Sequence, residues 1–256
     1  MAKSTGISSG NLIQSPISRQ APYSYRSGMG IIPSAEWSIF MDDFYSLVTS
    51  NAPAGASVII DTGATVTTST NPSFSHNGVL DITSDGASEG ATIFWPRAVR
   101  LGEGKKFFME IRIASEDIED TTVMFGLSSN SSVSNPEDYW TTASTDVITF
   151  GVLDGDAGFA SMLCDKDNAG TSKEVSTTNA LSSNTWHTLG LEVGGSASNS
   201  NMYAKGFVDG QLVVTWSTET SIPDDVTMSP FVGALVGSTA SDDIWIDYVR
   251  WAQERF

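Results

Sequence analysis

From residue 57 to the C-terminus the sequence is a succession of short β-favouring runs, each closed by Gly, Asn, Asp or Ser. Nothing else in the chain constrains its fold as tightly. The runs cover residues 57–61, 65–69, 78–83, 91–95, 106–114, 122–127, 147–153, 158–164, 186–193, 203–208, 211–217, 229–237 and 243–251. No helix-length segments alternate with them, which excludes a parallel α/β fold. In 106–114, Phe107, Met109, Ile111 and Ile113 alternate with Phe108, Glu110 and Arg112. Period two of this kind predicts a strand with one face in the core and one in water. No internal repeat of fixed period accompanies the runs. The expectation is one antiparallel β-sandwich domain over residues 36–256.

One segment departs from the strand pattern. Trp37, Phe40, Met41, Phe44 and Leu47 or Val48 recur at steps of three and four, with Ser34 as an N-cap and Glu36 in the first turn. The spacing predicts one short helix over 36–48.

Residues 1–35 have a different composition. They hold Lys3, Arg19 and Arg26 and no acidic residue, a charge of +3. The whole chain carries −17, which leaves −20 for the remainder. Ser, Gly, Gln and Pro dominate this stretch, with Ile7, Leu12, Ile13, Ile17, Tyr23 and Tyr25 scattered singly. It reads as an extended N-terminal arm without a core of its own. Its basic and apolar residues are the candidate contacts to a partner subunit.

The acidic body repels phosphate backbones and anionic lipid surfaces, which argues against nucleic-acid and membrane partners. No apolar stretch has membrane-spanning length. Met1 to Gly6 lack the apolar region of a signal peptide, so synthesis in a cytoplasm is expected. The single cysteine, Cys164, has no disulfide partner in the chain and sits in a β-favouring run, which predicts a buried, inert thiol.

Two segments carry a family resemblance. Trp186-His187-Thr188-Leu189 is followed by Phe207-Val208-Asp209-Gly210-Gln211-Leu212-Val213, and the chain ends in Ile246-Asp247-Tyr248-Val249-Arg250. Together these resemble the laminin-G/concanavalin-A-like jelly roll over about residues 50–256. The physical content is clear at Asp209-Gly210, a pair suited to the positive-φ turn of a tight hairpin. An arm, an aromatic segment and a jelly roll in that order also resemble tailed-bacteriophage virion proteins. That resemblance implies a capsid decoration subunit, assembled in the host cytoplasm as part of the virion, contacting major capsid proteins and forming a homo-oligomer.

Such a scaffold can carry chemistry on paired acids, histidines, metal-binding loops or exposed aromatics. Glycosidases of this kind place acidic residues at alternate positions of one strand. Here Glu110 is followed by Arg112 and Ala114, so no enzymatic activity is expected, and 116–120 reads as an acidic loop. Of the two histidines, His187 belongs to the fold signature and His76 to a turn. Asp154, Asp156, Asp165 and Asp167 lie in oxygen-rich loops that suit calcium, the one candidate cofactor. Tyr139 and Trp140 are the candidate aromatic platform for a surface glycan. The sequence thus supports a virion structural protein first, a glycan-binding lectin-like module as the alternative, and a glycan-cleaving enzyme least.

Overall fold

The computed structural model describes residues 37–254 apart from 43, 45, 46, 49–51, 54, 69–77, 85, 87, 97, 134, 142–145, 168–173, 217 and 238–241. The arm residues Lys3, Ile7, Leu12, Ile13, Ile17, Arg19, Tyr23, Tyr25 and Arg26 lie outside that range, as does His76.

In chain order the strands begin with β1 (Trp37–Asp42), β2 (Leu47–Val48), β3 (Ala52–Pro53), β4 (Ser57–Ile60), β5 (Ala64–Thr68) and β6 (Leu80–Ser84). Then come β7 (Glu89–Phe94), β8 (Val99–Arg100), β9 (Phe107–Ser115) and β10 (Thr121–Ser128). A four-residue helix α1 (Asp138–Thr141) precedes β11 (Val147–Val152), β12 (Ala160–Asp165), β13 (Glu174–Val175) and β14 (His187–Gly194). The chain closes with β15 (Tyr203–Val208), β16 (Gln211–Trp216), β17 (Thr227–Val236) and β18 (Asp243–Glu254).

Sixteen of these strands form two antiparallel layers, and β2 and β3 pair with each other in a separate two-stranded sheet. The first sheet has the order β16-β15-β14-β9-β18-β6-β5, with β1 added beside β18. The second has the order β13-β12-β11-β10-β17-β7-β4, with β8 beside β17. Between them lies one core. The first sheet contributes Met109, Ile111, Ile113, Leu189, Leu191, Val249 and Trp251, and the second Val123, Phe125, Phe150, Met162 and Val232. Cys164 is fully buried there, and burial pushes its thiol up. The Asp209-Gly210 turn has both residues at positive φ, 48° and 80°, as a two-residue hairpin requires.

The predicted helix over 36–48 does not form. Residues 37–42 pair instead as β1 with the end of β18, from Trp37 opposite Glu254 to Asp42 opposite Val249. The free edge of β18 supplies a ladder of hydrogen bonds that a short isolated helix lacks. Phe40 then stacks on Trp251, ring centroids 3.9 Å apart, and meets Trp95 edge-on at 6.0 Å. The Asp42 carboxylate accepts the Phe44 N–H at 2.9 Å and ends the strand. The one described α-helix, α1, stands elsewhere.

A bulge decides the register of β18. Ile246 pairs with Ile113 and Tyr248 with Arg112, so Asp247 is the extra residue. Before it Ile244 and Ile246 enter the core, and after it Val249 and Trp251 do. Deleting Asp247 is therefore expected to turn Tyr248 and Arg250 inward and unfold the domain, because an unpaired buried guanidinium costs several kcal/mol. Asp247→Ala should keep the fold, and circular dichroism with urea titration distinguishes the two.

Candidate functional site

The outer face of the first sheet concentrates the charged and aromatic residues of the strands. Cross-strand register places Arg250, Glu110, Gly190 and Phe207 in one row. Arg250 Nη2 lies 2.5 Å from Glu110 Oε1, and the Tyr248 hydroxyl donates to the same oxygen at 2.8 Å. The Arg250 guanidinium also sits 5.6 Å from the Tyr248 ring centre. This face of β9 is not the wet face that alternation implies: Glu110 is 0% and Phe108 1% exposed. A carboxylate so buried requires its charge partner, which β18 supplies.

One strand-end of the face is open. Arg112 Nη1 pairs with Asp247 Oδ2 at 2.6 Å, with side chains 36% and 26% exposed. The Arg112 guanidinium lies 4.8 Å from the half-buried Trp186 ring. Trp186 itself packs on Val79, Ala114 and Trp245, outside the main core. Next to it, His187 Nδ1 meets Asp209 Oδ2 at 2.7 Å, and the Ser182 N–H donates to His187 Nε2 at 2.9 Å. Because Nε2 accepts, Nδ1 carries the proton and donates to Asp209. The Thr188 N–H gives Asp209 a second donor at 2.8 Å. Partial burial pulls the Asp209 carboxyl up, but the His187 and Thr188 hydrogen bonds outweigh it and hold the group below its ordinary value. At the far end, the Tyr203 hydroxyl donates to Glu192 at 2.7 Å, and Lys205 covers the Tyr203 ring at 4.7 Å. Burial, then the bond to Glu192, push the Tyr203 hydroxyl up.

The sequence candidates fall elsewhere. Tyr139 is not an exposed platform: it is 2% exposed, packs on Phe231 with centroids 4.5 Å apart, and donates to the Asn130 carbonyl at 3.1 Å. The segment that carries it folds over the second sheet, where Glu137 also accepts from Thr122 at 3.0 Å. The Trp140 side chain lies outside the described residues. The four aspartates do not converge. Val152 pairs with Ala160 and Val147 with Asp165, so Asp154 and Asp156 follow one end of the β11–β12 hairpin, and Asp165 and Asp167 lie at the other. Six residues of strand separate the ends by roughly 17–20 Å, too far for one ion. Among the described residues no three His, Cys, Asp or Glu side chains could hold a metal. Asp156 instead accepts from Ser161 at 2.6 Å, and Asp146 accepts the Asp167 N–H at 3.1 Å. No described helix is long and apolar enough to cross a membrane.

Comparison with known proteins decides the fold. The chain is similar to the carbohydrate recognition domain of Emp47p, with a TM-score of 0.58 and 11% identity over 86% of this chain and 98% of that one. It is similar to a Lotus tetragonolobus seed lectin at 0.55 and 10%, covering 86% and 100%. This is a concanavalin A-like jelly roll. An endo-1,3-β-glucanase from Streptomyces sioyaensis also matches, at 0.53 and 16%, covering 87% and 98%. No family model and no curated protein matches the chain. The expectation that the chain is not an enzyme is overturned by the glucanase, because the same sandwich carries catalysis there. The missing carboxylates at Arg112 and Ala114 tested one strand only. The phage part of the resemblance gains no support from these structures.

The residues that make this face, Glu110, Tyr248, Arg250, Trp186 and Asp247, are not singled out as a group by the sequence. Their signal was available: Glu110 and Arg250 are opposite charges, each set inside a long apolar strand.

Two outcomes follow from this geometry. Arg250→Met leaves Glu110 buried without its cation and should cost about 3–5 kcal/mol in urea unfolding. The double variant Glu110→Leu/Arg250→Met should recover most of that loss, since an apolar pair replaces a buried ion pair at little cost. The depressed Asp209 group contributes stability above the ordinary carboxylate range, and that stability is lost as the pH falls through its lowered value. Asp209→Asn should therefore melt below the wild type at neutral pH, and the two melting curves should converge in acid.

Proposed function

We propose that this chain is a glycan-binding module whose contact patch is the open end of the first sheet, formed by Trp186, Arg112 and Asp247. One observation carries this reading. A half-buried indole lies 4.8 Å from a guanidinium that a carboxylate already holds at 2.6 Å. Fixed donors and acceptors around an apolar ring suit a polyhydroxylated ligand with apolar C–H faces. The likeness of fold to carbohydrate recognition domains and lectins supports the same reading. The narrower expectation, a tailed-phage particle subunit, has composition and chain layout behind it. A lectin-like module on a particle surface would join the two readings.

A panel of immobilised oligosaccharides, probed with the full chain, tests the proposal. Binding to at least one glycan class is expected, with Trp186→Ala and Arg112→Ala each weakening it about tenfold or more, equivalent to 1.4 kcal/mol. Undiminished binding by both variants, or no binding across the panel, contradicts it.

A further inference from the structure

The middle of the first sheet's outer face is shielded. Glu110 is 0%, Phe108 1%, and Phe207 and Tyr248 4% exposed, although all four point away from the core. They stand on β9, β15 and β18, inside the sheet rather than at its rim. Leu212 follows Phe207 in register on β16 and is 51% exposed, so the shielding stops there. The described strands lie in the two sheets, except the β2–β3 pair, which connects β1 to β4 at the edge of the second sheet, and α1 lies over the second sheet, not this one.

We propose that residues 1–36 lie across this face of their own chain. The point of entry is right: β1 begins at Trp37, opposite Glu254, in the same sheet and beside β18. The length is sufficient, since 36 residues reach on the order of 120 Å when extended, whereas β18 and β15 are three strand spacings apart, about 14 Å. The other stretches outside the described residues are poor candidates. Residues 69–77 join β5 to β6, and a loop tethered at both ends reaches roughly 16 Å. Phe207 lies four strand spacings from β6, about 19 Å. Residues 142–145 and 168–173 belong to connections of the second sheet, and residues 238–241, tethered between β17 and β18, reach roughly 8 Å, short of the three strand spacings from β18 to Phe207 on β15.

Chemistry agrees with geometry. The segment 1–35 carries +3 against a remainder of −20, which draws it towards its own body. Its apolar residues Ile7, Leu12, Ile13, Ile17, Tyr23 and Tyr25 match a face presenting Phe108 and Phe207. Covering this row leaves the Trp186–Arg112–Asp247 end open, so the inference stands whether or not a glycan binds there.

Hydroxyl-radical footprinting of the full chain tests it, with oxidation read at Phe108 and Phe207 against two internal references. Phe150, fully buried in the core, sets the shielded level, and Leu212 sets the exposed one. In a light-scattering monomer, Phe108 and Phe207 should label as little as Phe150. In a full-length variant with Ile7, Leu12, Ile13, Ile17, Tyr23 and Tyr25 all changed to Ser, they should rise towards Leu212 while Phe150 stays unchanged. Labelling at the Leu212 level in the wild type overturns the proposal, as does unchanged shielding in the variant. Shielding that disappears when a dimer is diluted to monomer also overturns it, by showing that a second copy provides the cover.

Discussion

The extra residue at Asp247 is the constraint on which the rest of this sandwich depends. Strand β18 crosses the middle of the first sheet, and its period-two alternation slips by one between Ile246 and Tyr248. The slip allows one strand to serve two faces. Val249 and Trp251 complete the core, where Trp251 meets Phe40 and Trp95. Tyr248 and Arg250 turn outward together and satisfy Glu110. Asp247 itself, at the bend, pairs with Arg112 and so anchors the open patch beside Trp186. Core, buried ion pair and candidate site thus share one local irregularity, as bulges near functional sites commonly do.

The fold was legible because a sandwich writes itself into sequence through alternation and turns. Phe107, Met109, Ile111 and Ile113 enter the core as their spacing requires, and Asp209-Gly210 makes the expected turn. The closing strand even shows its bulge, since its core residues step by two from Ile244 to Ile246 and by three to Val249. What alternation does not reveal is whether the second face meets water. Phe108 and Glu110 occupy the outward positions and are buried all the same. Residues 37–42 show the complementary limit: their three- and four-residue spacing is helical, but an available sheet edge overrode local propensity.

The site was less legible because it is assembled across strands distant in sequence. Arg112 and Asp247 are 135 residues apart, and Glu110 and Tyr248 138. Adjacent residues, by contrast, misled. Tyr139 looks like a surface aromatic beside Trp140, but its segment folds back onto Phe231. The aspartates of 154–167 are near in sequence and held apart by an antiparallel hairpin. Catalysis is a further case, where one strand without paired carboxylates does not speak for a fold that also carries a glucanase.

On the proposed reading, ligand contact belongs to the outer face of the first sheet and not to the loop over the second. The indole N–H signals of the tryptophans in a heteronuclear NMR spectrum report this directly, during titration with a glycan the chain binds. The Trp186 signal should move while those of Trp95 and Trp216, both buried in the core, stay in place. Movement confined to Trp140, with Trp186 unaffected, would place the ligand over the second sheet and rule out the patch at Trp186.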